Sequence, residues 1–549
     1  MKNLKYIGLA LLMLLSATSC EDALDNNVNP DKSSTATPQS MLPVVVFYAS
    51  QINYDHAEYG TYLSNTLTTA SKSQRNSYAY KGGWEFLTMN RHPQWRRHFY
   101  DLGANINELI DIATEAKSYN FVLIARSIRL MSTQLTTDMF GDMPRSEAYT
   151  SNSPKYDTQE SIYEWMLQEA DELIALYDDA SWTDGINNIP ITSSMDRIFN
   201  GDLAKWRQFT CAMKARILLR KLPNLDNTPE TCLQIIDAVD AALVDWEDPR
   251  YEYNNENATG VANCPWGPSK PTINSWESRS NLLDKAIVSK YFCVDVMGVF
   301  SKYSFFKGYA EDPRLEKLMK ARSGPATDPA KKFRYLENNI GMGVSYQEKN
   351  YPDLYESVLT RDNSYISLFT KEELLLIKAE ATYWKGDKTG ARALTLEATL
   401  LNMERLGVTK TAWIEEYTDG DYKTKYFPEG NAFTIHHLML QKYICMYLQP
   451  EQWTDMRRYC YSNNVNKETY DGVIVYPTLK RPYNLYEPYW VVDDDGDGAV
   501  DETWIQRINY DPETEEKYNR LELERLGAYR NADWLKKPMI WAVYDGQHN

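Results

Sequence analysis

The sequence predicts an all-α protein: tetratricopeptide-type helix pairs, a loop-rich half laid over them, and minor β-hairpins. Three observations predict it. Apolar residues recur with a helical period in several long stretches. One of these, 372–408, reads as two helices closed by a tight turn. Long irregular segments separate the helical blocks, and loops of that length on a rigid scaffold usually carry function.

Taken in order, the chain opens with Lys2 and Lys5, an almost wholly apolar run from Tyr6 to Leu15, and the small residues Ser16 to Ser19. This is the three-part layout of a bacterial export signal. The apolar run is far shorter than the roughly 20 residues that cross a bilayer. Cys20 stands where a signal peptidase would cut, which predicts a lipoprotein signal over 1–19 and a lipidated Cys20. Ala17 departs from the Leu usual three places before such a cysteine, and plain secretion with a chance cysteine is the other reading. Stable anchoring would follow from more than one acyl chain, at about 0.8 kcal/mol per buried methylene. The polar stretch to residue 40 has no helical period and reads as a tether, leaving 41–549 as the folded domain.

Helical period then dominates. Ile124, Ile128, Met131 and Leu135 share a face, as do Leu203, Trp206, Phe209, Met213 and Ile217. Asp157 to Asp178 reads as a helix opened by an Asp cap. Gly141, Pro144 and Pro223 end helices. In "EELLLIKAEATYWKGDKTGARALTLEATLLNMERLGV", Leu375, Leu376, Ala379 and Tyr383 line the first helix. Gly386 and Asp387 turn the chain, and Ala391, Leu394, Ala398 and Leu401 line the second, with small residues where the helices meet. Loop-rich insertions are expected over about 247–363 and 471–537.

Composition bounds the function. The 549 residues are 43% hydrophobic, enough for a large core. A net charge of −17 argues against nucleic acid or anionic lipid as a partner. Beyond Cys20, the cysteines Cys211, Cys232, Cys264, Cys293, Cys445 and Cys460 show no metal-pair spacing and read as small core residues. The 40 tyrosines and 15 tryptophans offer flat apolar faces with polar handles, suited to stacking on sugars or to filling gaps between helices.

No H-E-x-x-H, G-x-S-x-G, Walker or dinucleotide fingerprint occurs, and the six histidines form no triad-like set. "VVDDDGDGAVDETW" is the exception. Asp493, Asp495, Asp497 and Asp501 place hard oxygens at the spacing of a calcium loop, with Gly498 at its turn. Trp504 stands where the bidentate acid belongs, although Glu502 is near. A solvated Asp/Gly turn between strand-like flanks is the competing reading. Calcium bound here would order a loop rather than do chemistry.

Several stretches, in their order and spacing, resemble the SusD/RagB-type outer-membrane lipoproteins of the Bacteroidota. They are "SCEDALD", "NPDKSSTATPQSMLP", "IARSIRLMSTQLTTDMFGDMPRSEA", "LAKWRQFTCAMKARILLR", "DPRLEKLM", "KEELLLIKAEATYWKGD", "LQKYICMYLQPEQWTDMRRY" and "LKKPMIW". The resemblance implies a SusD-like fold and a non-catalytic binder, lipid-anchored on the exterior of the outer membrane. Such a binder captures oligosaccharide, or in some members peptide, and delivers it to a SusC-like TonB-dependent transporter. Glu21, Asp22 and Asp25 after the cysteine fit that export route.

The family's binding face is loop-built. Candidate contacts are therefore sought among aromatic and amide side chains in polar irregular stretches: Tyr78, Tyr80, Trp84, Trp266, Asn274, Trp276 and Tyr303, with "PYNLYEPYW" near Tyr483 a further stretch. For each ring, packing beneath a loop is the alternative. A surface glycoside hydrolase using two carboxylates, and a scaffold touching only its barrel, are the competing functions.

Overall fold

The computed structural model describes residues 36–69, 82–253, 263–268, 283, 286–298, 311–320, 351–355, 357–408, 425–483, 485–491 and 502–544. The first helix, α1 (Pro38–Leu63), starts at a capping box in which Thr37 and Ser40 satisfy each other's backbone N–H groups. From Ala49 onward it is buried on nearly every side, and it packs on α2 (Ala104–Glu115) and α3 (Tyr119–Phe140). A helix covered all round sits at the centre of a fold. The π-helical stretch Arg97–Gly103 runs directly into α2.

The helices that follow are α4 (Gln159–Tyr177), α5 (Leu203–Leu219), α6 (Pro229–Leu243), α7 (Lys371–Trp384) and α8 (Lys388–Arg405). Each helix from α2 to α8 packs on the next in chain order. The last pair of the run is α9 (Ile435–Cys445) and α10 (Glu451–Arg458), with α9 lying on α7 and α8. Stacked helix pairs of this kind bury in concert an apolar face that none could bury alone.

The α7–α8 pair shows why the sequence folds this way. Thr370 caps α7 by accepting from the Glu373 N–H at 3.1 Å. Gly386 takes the turn at φ +99°, a region closed to most side chains, and Asp387 caps α8 through the Gly390 N–H at 2.8 Å. Ala379 and Ala391 are fully buried where the helices meet. The periodic faces expected on α3 and α5 are likewise buried, apart from a half-buried Leu203.

Three expectations need correction. The cap of α4 is Thr158, whose hydroxyl accepts from the Ser161 N–H at 3.3 Å. The Asp157 carboxylate instead accepts from the N–H groups of Arg145 and Ser146, at 2.9 and 2.8 Å. Neither small sheet is a hairpin: β1 (Leu67–Thr69) pairs with β3 (Ala286–Val288), and β2 (Arg250–Glu252) with β4 (Tyr365–Ser367), partners far apart in the chain. Within 471–537, α11 (Arg520–Leu526) and α12 (Ala532–Lys536) form, α11 closed by Gly527 in the left-handed region.

Charges fill part of the interior. Glu380 of α7 accepts from both Nη1 and Nη2 of Arg458 at 2.8 Å, from Lys442 Nζ at 3.1 Å and from the Tyr459 hydroxyl at 2.7 Å. Arg220, the residue that ends α5, donates to Asp138 of α3 and to Glu451 of α10. These side chains are almost wholly excluded from solvent, so their cost of desolvation is met only because every partner is present. The network ties α3, α5, α7, α9 and α10 into one rigid support.

The six cysteines among the described residues are free thiols, all buried but the half-buried Cys460. No described helix is long and apolar enough to cross a membrane.

Candidate ligand-binding site

A ring can hold a sugar only if one face is open and the residue beneath it is fixed. The structure separates these two roles among the residues singled out from sequence. Trp84 is fully buried, with its ring 5.1 Å from Trp490 and 5.8 Å from Trp504. The indole N–H of Trp490 donates to the Trp84 carbonyl at 3.0 Å, and the Tyr486 N–H donates to the Gly83 carbonyl at 2.9 Å. Trp84 is a floor, not a ligand-facing ring, and its expected contact with ligand is corrected accordingly.

Trp266 is corrected for the same reason. It is 3% exposed and packs edge-on against Tyr54 of α1 at 4.7 Å. Its segment is pinned by the Cys264 N–H on the Asp362 carbonyl at 2.7 Å. Each indole finds more apolar surface to bury inward than a shallow surface offers.

Tyr78, Tyr80, Asn274, Trp276, Tyr303 and Cys20 lie outside the described residues, as do Asp493, Asp495, Asp497 and Asp501. The described stems do show where several of their segments are rooted. The β1–β3 ladder sets Thr69, the last described residue before the segment of Tyr78 and Tyr80, opposite Ala286, which follows the segment of Asn274 and Trp276. The Asn65 side chain donates to the Lys480 carbonyl at 2.9 Å, and the next residue, Arg481, donates to the Trp490 carbonyl at 2.9 Å. Trp490 and Trp504, described residues on either side of the acidic stretch in sequence, both rest on Trp84. The flanks of that stretch, expected as strands, are a helical turn (Glu487–Trp490) and a chain without regular structure over 502–510. Among the described residues no group of three His, Cys, Asp or Glu side chains is placed to hold a metal ion.

Beside this floor, in the segment tied to it through the Tyr486 N–H, the described rings that keep solvent-accessible surface are Tyr483, Tyr486 and Tyr489. Tyr483 is 49% exposed, and Tyr486 and Tyr489 are half-buried, their rings 4.5 Å apart and near perpendicular. Pro488 stiffens the turn that presents them. The sequence pointed to this stretch, "PYNLYEPYW", as a whole and named only Tyr483 within it. The signal for the other two was their spacing, with Tyr486 and Tyr489 three residues apart across a proline-bearing helical turn. Phenol rings that keep an accessible face can stack on the C–H face of a saccharide while their hydroxyls bond its hydroxyls.

The chain belongs to the SusD-like family: residues 30–476 match the family model described as "Starch-binding associating with outer membrane". Solved structures share the fold. A chitin-binding protein is similar at 16% identity and a TM-score of 0.63, with 92% of this chain and 100% of that one covered. A SusD/RagB family protein from Bacteroides thetaiotaomicron is similar at 18% identity and a TM-score of 0.59, with 92% and 99% covered. A Bacteroidetes SusD-like protein, AC2a, is similar at 17% identity and a TM-score of 0.64, with 93% and 100% covered. No curated protein matches the chain in sequence.

Proposed function

We propose that this protein is a non-catalytic surface lipoprotein that captures oligosaccharide and passes it to a SusC-like TonB-dependent transporter in the outer membrane. The observation that carries the proposal is the family match over residues 30–476, whose description names starch binding and the outer membrane. The solvent-accessible tyrosines Tyr483, Tyr486 and Tyr489, in the segment tied to Gly83 beside Trp84, support it. Cys20 would carry the acyl chains that hold the protein on the exterior face. Calcium held by Asp493, Asp495, Asp497 and Asp501 would order a loop. Chelation is then expected to lower the melting temperature by a few degrees and leave the helical signal intact.

The test is a binding screen of the soluble chain, starting at Asp22, against neutral glycans and peptides, with each mixture analysed for cleavage. Saturable binding of a glycan with no new reducing ends supports capture. Peptide binding alone would move the protein to the peptide-binding branch of the family, and cleavage would make it a glycoside hydrolase.

A further inference from the structure

A second cleft, of 620 Å³, opens between α2, α3, α4 and the loop over 143–150. It shares no described residue with the tyrosine site. Three guanidiniums line it, from Arg126, Arg129 and Arg145, against two carboxylates, Asp111 and Glu169. This gathers three guanidiniums in one cleft of a chain whose net charge is −17.

The three arginines are not equivalent. Arg126 is satisfied by Glu169, at 2.8 and 2.9 Å, and by Glu172 at 2.9 Å. Among the described residues Arg129 bonds only the Asn107 side-chain oxygen, at 2.5 Å, and burial in the cleft wall pushes its pKa below the ordinary value. Arg145 lies over the Trp165 ring at 5.0 Å, and its Nε is buried without a partner. Among the described residues neither the Arg129 nor the Arg145 guanidinium is hydrogen-bonded to a carboxylate, although Asp157 stands close enough to feel the Arg145 charge. A guanidinium presents five donors in a fork that matches a carboxylate, so two such groups on one wall leave that chemistry unused.

The wall is built rather than incidental. The Asp157 carboxylate accepts from the N–H groups of Arg145 and Ser146, on either side of the Arg145 Cα, and so holds Arg145 in place. Tyr149 adopts φ +67°, a strained conformation for a side chain of its size, and donates to the Phe99 carbonyl at 2.9 Å. Its hydroxyl occupies the space where a Cβ on Gly103 would stand, so only glycine lets the ring dock there. Tyr149 and the half-buried Trp165 supply aromatic surface, and Asn107 and Thr133 supply polar groups. His98, also on the wall, bonds Ser132 Oγ through Nδ1 at 2.6 Å and is kept neutral by burial, its pKa lowered to about 3.

We infer that this cleft binds a carboxylate-bearing saccharide, a uronic-acid unit, with Arg129 and Arg145 clamping the carboxylate and Trp165 and Tyr149 flanking the ring. The size suits a short oligosaccharide, since pockets of roughly 300–1,000 Å³ enclose ligands of that order. That the carboxylate is carried by a sugar rests on the capture reading above; the preference for a carboxylate does not.

The experiment titrates the soluble chain with a tetragalacturonate and with the same tetrasaccharide reduced at its carboxyls, by calorimetry. The expected result is at least tenfold tighter binding of the acidic form, weakened by added salt. Arg129→Gln and Arg145→Gln are each expected to cost the acidic form tenfold or more and to leave the reduced form and neutral-glycan binding unchanged. Arg145 is half-buried on a loop, so Arg145→Gln keeps the test decisive should Arg129→Gln fail to fold. Equal affinity for the two tetrasaccharides, or full retention by Arg145→Gln, overturns the inference. Equal binding of an acidic tetrapeptide overturns the saccharide assignment. Neutral-glycan binding in the same series reads the tyrosine site separately, so failure of one site is distinguishable from failure of the other.

Discussion

Replacing Trp84 with alanine separates a structural floor from a ligand contact. The side chain is fully buried, and a tryptophan buries roughly 150–250 Å². At about 25 cal/mol per Å² the transfer term is about 4–6 kcal/mol. Alanine recovers a part of that, and large-to-small substitutions of this kind cost about 3–5 kcal/mol in cores. The ring contacts with Trp490 and Trp504 contribute within that range. We therefore expect Trp84→Ala to lose about 4 kcal/mol in urea unfolding followed by far-UV circular dichroism. Trp84→Phe, which keeps a ring on the floor, should recover about half. A Trp84→Ala protein that stays within ~1 kcal/mol of wild type but no longer binds glycan would refute this reasoning, because the ring would then be serving ligand rather than fold.

Other substitutions read other parts of the account. Tyr486→Ala and Tyr489→Ala, at half-buried positions, should weaken glycan binding about tenfold, a loss of about 1.4 kcal/mol, with unchanged melting. Glu380→Gln strips the charge from a buried network and should cost about 3–5 kcal/mol. Burial alone would raise the Glu380 pKa, but Arg458 and Lys442 outweigh it and hold the carboxyl well below its ordinary 4.5. Its contribution is therefore full above pH 4.5 and fades as the solution is acidified below it, and Glu380→Gln should flatten that acid limb of the stability curve. The buried thiols should resist alkylation in the folded protein, and dithiothreitol should leave the melting temperature unchanged, since burial pushes Cys264 and Cys445 up to about 12.

The helices were legible because their information is local. Ile124, Ile128, Met131 and Leu135 repeat at helical spacing and all are buried; Gly386 and Asp387 announce a turn and make one. The order of several such stretches was enough to point to the family. The site was less legible because its information is not local. Nothing around Trp84 says that Trp490 and Trp504 will cover it, and nothing around Leu67 says that Val288 will pair with it. A tryptophan in a polar loop is equally suited to a floor and to a platform, and only its distant partners decide. The same holds for Asp157: its sequence context fits a helix cap, yet its carboxylate is taken by the loop that carries Arg145.

The central claim is capture without chemistry. It is tested most directly by calorimetric titration of the soluble chain with the best neutral glycan of the screen, followed by chromatography of the recovered ligand. The account predicts saturable binding with one glycan per tyrosine site and a ligand recovered at its original length. Shortened glycan, or no heat with any glycan offered, would contradict it.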